Sequence, residues 1–320
     1  MTDPVRQIAD TVLYEGYILW PYRRSATKNQ QRWTFGGVYP LTHSRAHPDD
    51  PSELHTEVLV EAPAGETVVV TTRFLHVVER RLAVGAAGRR TFVDELTVAG
   101  ERYLAWQEAV ERELGAAAVL GGAPERAAIA VAGGRSEEAL GEDGAIVRTW
   151  EPLRGFVEVR SAADGIDRFR VSVRIVNETP SNGGTRDDAL RRTFCSTHVV
   201  LHADGGAFVS ATESDCGNGG LWPVLVGDEG ARDTMLAAPI ILSDYPRIAP
   251  ESPGNLFDST EIDKLLVLNV LALTPEEQAE MRATDARAGE ILDRCASLSS
   301  EQLMRLHGAI REFRPVGPDD

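Results

Sequence analysis

Residues 169–176 read FRVSVRIV, with Phe169, Val171, Val173 and Ile175 alternating against Arg170, Ser172 and Arg174. Successive side chains of a strand point to opposite faces, so this period of two makes one face apolar and the other polar. Such a strand belongs in an antiparallel sheet with one face on a core and one in water. The middle of the chain is thereby committed to β structure that needs a second layer over its apolar side.

Neighbouring stretches read the same way. Residues 58–60 and 67–72 are rich in β-branched side chains and flank Ala62-Pro63-Ala64-Gly65, a turn sequence, with 74–78 continuing the second strand. This predicts a hairpin over 54–78. Residues 146–150 and 155–160 predict a second around Pro152, and 194–202 with 207–210 a third around Asp204-Gly205-Gly206. A short apolar run at 239–242 reads as a further strand.

Other stretches read as helical. Ile8, Val12 and Leu13 keep helical spacing, and so do Leu104, Ala105, Val110 and Leu114, with Glu108, Glu111 and Glu113 on the wet side and Gly115 as the stop. Residues 115–145, rich in Ala and Gly, read as a linker or mobile insertion. Towards the C-terminus three starts follow one another: Asp258 before Glu261, Thr274-Pro275-Glu276-Glu277, and Ser299-Ser300-Glu301-Gln302 leading to Leu303, Leu306 and Ile310, with a break at Thr284-Asp285. The expected architecture is α+β: an antiparallel sheet core, sandwich- or barrel-like, with three to four C-terminal helices packed on it. The expected regions are a β-rich 1–114 with one helix, the linker 115–145, a β region 146–257, helices over 258–313 and a tail 314–320. They are compatible with one composite domain.

The chemistry is sparse. A net charge of −16 repels phosphate backbones, so nucleic acid is not an expected partner. No apolar run approaches the about 18 residues of a membrane span, and the first residues do not read as a signal peptide. A cytoplasmic address follows as the expectation. Cys195, Cys216 and Cys295 lack the spacing of a disulfide framework or a structural zinc site. P-loop, dinucleotide-binding, HExxH, GxSxG and EF-hand patterns do not occur, and no cofactor is expected.

Two surfaces of opposite character stand out. Between Gly16 and Pro48 there is no acid, yet Arg23, Arg24, Lys28, Arg32 and Arg45 fall there among Trp20, Tyr22 and Trp33. This basic, aromatic island suits an anion or an acidic protein partner, or else pairs with acids elsewhere in the fold. The second is the loop carrying Asp244, Tyr245, Arg247 and Glu251, stiffened by Pro246, Pro250 and Pro253. If the chain is an enzyme, Asp244 and Glu251 with His198 and Cys216 are the residues for a metal-assisted hydrolase or lyase. If it carries a metal, His55, Glu57 and His76 are the candidate ligands.

Three stretches, 12–40 (VLYEGYILWPYRRSATKNQQRWTFGGVYP), 222–227 (WPVLVG) and 238–274 (APIILSDYPRIAPESPGNLFDSTEIDKLLVLNVLALT), resemble an uncharacterised bacterial family, often actinobacterial. Its genes lie beside those of high-affinity [NiFe]-hydrogenases and their maturation factors. The resemblance implies an accessory or assembly factor that contacts a hydrogenase subunit or maturation factor without catalysis of its own.

Overall fold

The computed structural model describes residues 4–30, 32–33, 35–86, 89–248, 256–257 and 263–305. Helix α1 (Pro4–Tyr14) and α2 (Leu41–Ala46) precede strands β1 (Glu53–Glu61), β2 (Thr67–Val84), β3 (Thr91–Val93), β4 (Glu95–Val98), β5 (Glu101–Leu104) and β6 (Trp106–Val119). Then come β7 (Glu125–Val131), β8 (Gly134–Leu140), β9 (Gly144–Trp150), β10 (Leu153–Ala163), β11 (Arg168–Asn177) and α3 (Arg186–Leu190). Strands β12 (Cys195–His202), β13 (Ala207–Phe208), β14 (Trp222–Leu225) and β15 (Thr234–Ala238) lead to helices α4 (Asp263–Leu271), α5 (Pro275–Thr284), α6 (Ala286–Ala296) and α7 (Ser300–Arg305).

The fold is α+β, with antiparallel sheets that do not close and C-terminal helices packed after the strands. One sheet has the order β13-β1-β11-β10-β7; the other runs β14-β15-β12-β2-β9-β8, with β3 and β6 also paired to β2. The period-two strand β11 buries Phe169, Val171, Val173 and Ile175 as its alternation requires. Those side chains share a core with Val58 and Val60 of β1, Val68, Val70 and Phe74 of β2, and Val199 and Leu201 of β12, so the two sheets face each other as layers.

Strand β2 is the axis of the larger sheet. Over 18 residues it pairs with β12 and then β9, and also with β6 and then β3. Its arginines meet acids of β6: Arg73 lies 3.1 Å from Glu111 and 3.4 Å from Glu113, and Arg80 lies 3.0 Å from Glu108. The helix expected to end at Leu114 is therefore a strand, because these acids complement the arginines of a fourteen-residue partner ladder. Residues 115–145 are likewise not a linker: they form the end of β6, then β7 against β10 and β8 against β9.

None of the three expected hairpins forms. Strands β1 and β2, β9 and β10, and β12 and β13 each lie in opposite sheets. The turns occur where the sequence places them, as the bond from Glu66 N to Pro63 O and that from Gly206 N to Ala203 O show. The reversing chain crosses between layers, because the edges of these strands are taken by partners distant in sequence. The strand expected at 239–242 lies earlier, as β15, which pairs with β12 and β14.

A second layer covers the other face of the larger sheet. α1 contributes Leu13 and Tyr14, and the segment after it Tyr17, Ile18, Tyr22 and Trp33, to a cluster with Leu266 and Val270 of α4, Met281 of α5 and Ile291 of α6. The helical starts match the sequence at Thr274, whose hydroxyl accepts from Glu277 N while the Glu277 carboxylate accepts from Thr274 N, and at Ser299, which exchanges the same pair of bonds with Gln302. Asp285 caps α6. Asp258, Glu261, Leu306, Ile310 and the tail lie outside the described residues.

Candidate interaction and ligand-binding sites

The basic island divides into core and seam. Tyr22, Arg32 and Trp33 are buried, not presented to a partner, and Trp20 is half-buried with its ring 6.0 Å from that of Tyr22. The cause is local backbone: Tyr22 and Trp33 adopt φ of 58° and 64°, turning both rings inward, Trp33 against Tyr17, and Tyr22 with its hydroxyl on Leu256 O. Left-handed backbone costs an ordinary residue about 1–2 kcal/mol, which burial of such rings offsets. Arg23 pairs with Glu277 at 2.9 Å, and Arg24 lies 3.6 Å from Asp94. Lys28 is exposed. Much of the island thus joins the N-terminal segment to α5 and to Asp94 between β3 and β4.

The proline-stiffened loop is also committed to the fold where it is described. Asp244 accepts from Ser210 Oγ at 2.5 Å and from Leu225 N at 2.8 Å. Tyr245 donates its backbone N–H to Leu225 O at 2.7 Å and its hydroxyl to Ala231 O at 3.0 Å. Arg247 faces Glu229 at 3.5 Å on the surface. Glu251 lies outside the described residues.

The catalytic candidates serve separate contacts. His198 is fully buried opposite Arg73 across the β2–β12 ladder, and burial pushes its pKa down to about 3, so it is neutral and poorly suited as a base near pH 7. Cys216 sits 3.5 Å from an Arg170 nitrogen, yet burial raises its thiol above the ordinary value. The same Arg170 pairs with Asp215 at 2.9 Å and with Glu57 at 3.3 Å. His202 bonds to Thr234 and Asp204.

The proposed metal ligands do not meet either. His55 is exposed and Glu57 half-buried on β1, whereas His76 is buried on β2 in the other sheet, where burial and Arg112 lower its pKa to about 4. No cluster of three or more potential metal ligands occurs among the described residues.

Two features escaped the sequence. One is a cavity of about 580 Å³ beside Arg32, with Arg24, Arg81, Phe92, Asp94 and Trp106 among its lining residues. Reading Leu104 to Leu114 as a helix hid it, because Trp106 reaches this wall only when β6 pairs with β2. The acids of 108–113 complementing Arg73 and Arg80 were the available signal. The other is an exposed stripe on α4, Leu265, Leu268 and Leu271, on a helix that also buries Leu266, Val267 and Val270. No helix among the described residues is long and apolar enough to cross a membrane. Neither protein-family models nor curated proteins gave a match to the chain.

Proposed function

We propose that this chain is a non-catalytic accessory protein that works through protein–protein contacts, with a subunit or maturation factor of a [NiFe]-hydrogenase system as partner. The observation that carries this reading is where apolar side chains meet water. Trp222, Ile241, Ile248, Leu265, Leu268 and Leu271 are half of the twelve exposed large apolar side chains among the described residues. All six fall in 222–227 and 238–274, two of the three stretches that carry the family resemblance. Large apolar side chains left in water are where a partner gains most from burial.

The third stretch packs against the other two: Val12 clusters with the buried Val224, Val226 and Ala238, and Gly36 (φ +56°) lies so near Pro239 that a Cβ there would meet its ring at 2.7 Å. The separate duties of Asp244, His198 and Cys216 favour contact over catalysis.

The test is affinity recovery from cells expressing a hydrogenase of this type, with wild type and a Leu268→Lys/Leu271→Lys variant. Both leucines are exposed, so each substitution should change stability by no more than about 0.5 kcal/mol. The expected result is loss of hydrogenase subunits or maturation factors from the variant with its circular dichroism unchanged. Equal recovery by both proteins overturns the reading.

A further inference from the structure

We propose that the cavity beside Arg32 binds a small organic oxyanion, a carboxylate or a phosphate ester, held by the guanidinium groups of Arg32 and Arg81. Arg32 is 4% exposed, and among the described residues no carboxylate lies within ion-pair distance of it. Its two hydrogen bonds go to carbonyls, Tyr17 O and Gln107 O, both at 2.7 Å. Its guanidinium is stacked 3.8 Å from the centre of Trp106 and 4.9 Å from that of Trp33, which fixes its plane. Burial lowers its pKa only to about 10, so the group is a cation at neutral pH. Charges withdrawn from water are ordinarily paired, and this one faces an open cavity instead.

Arg81 supplies a second grip. It lies in the same wall with its guanidinium 3.5 Å from the centre of the Phe92 ring, and it makes no ion pair among the described residues. The other charges of the wall are mostly committed. Arg24 lies 3.6 Å from Asp94, while Glu79 accepts from Gln107 and lies 3.8 Å from Arg191. Asp187 remains, so two guanidinium groups without an ion pair face one carboxylate without one among the described residues. A planar guanidinium presents parallel N–H donors that match the two oxygens of a carboxylate or phosphate. A volume of about 580 Å³ is that of a small-molecule site, larger than a bare ion needs.

Calorimetric titration of the full chain with benzoate and with phenyl phosphate, at constant ionic strength, tests this. Wild type should bind at least one probe saturably, and higher salt should weaken binding. Arg81→Gln, at an exposed side chain, should weaken it roughly tenfold with the melting temperature unchanged. Arg32→Lys keeps the charge, removes the fork and should weaken it similarly. Tighter binding of one probe than of the other identifies the oxyanion. Absence of saturable binding by both, or wild-type affinity in Arg81→Gln, overturns the proposal.

Discussion

Single residues show why composition misled at the basic island. Sequence presents Arg32 and Trp33 as an exposed pair, yet the left-handed φ at Trp33 sends the ring inward beside the buried guanidinium. No local pattern announces a positive φ at a non-glycine residue. Arg23 was readable in outline, because a chain of charge −16 has acids to spare, and Glu277 supplies one. The buried histidines lead to a pH prediction. His76 and His198 titrate near 4 and 3 in the fold, against 6.5 for a free histidine. Above pH 6.5 both states are neutral and the pair adds no slope. As pH falls through 6.5 the unfolded chain takes up protons that the fold refuses, so stability declines until about pH 4 for His76 and about pH 3 for His198. Together they should remove roughly 2–4 kcal/mol between pH 6.5 and 5, before most carboxylates titrate. Urea unfolding across that range measures the slope, which should flatten in His198→Gln; an identical slope in the variant contradicts the assignment.

Among elements, capping and periodicity were legible and pairing was not. Strand β11, the Thr274 cap, the break at Thr284-Asp285 and the Ser299 box stand where the sequence puts them, because each depends on neighbours within a few residues. Replacing Thr274 by Ala should therefore cost about 1 kcal/mol, read as a lowered melting temperature, with the apolar face of α5 unchanged. A cost near zero would show that Pro275 at the first helical position suffices to start α5. The three misread hairpins share one cause: a turn sequence fixes where the chain reverses, but the free edge nearest in space decides where the next strand goes. The glutamates of β6 misled similarly, since spacing that suits a helix also alternates acids opposite the arginines of β2.

In the molecule as a whole, residues 15–33 join the C-terminal helices to the larger sheet. Tyr17 donates to Asp285 at 2.7 Å and Tyr22 to Leu256 O at 2.6 Å, while Arg80 reaches the carbonyls of Ala283 and Thr284 from the sheet. The stretches 12–40, 222–227 and 238–274 reach beyond that layer: Val38, Leu225 and Tyr245 pack in the core between the sheets, and Trp222 lies on strand β14 of the larger sheet. Sequence located those stretches but could not show which clusters they enter, since their contacts span most of the chain. The central claim is that the exposed apolar side chains of 222–227 and 238–274 contact a protein partner. Amide hydrogen exchange, with and without the partner recovered from hydrogenase-expressing cells, addresses it most directly. Protection gained on binding should fall on residues 222–227, 239–248 and 265–272. Protection confined to the distant strands β7 and β8, with those residues unchanged, would contradict it.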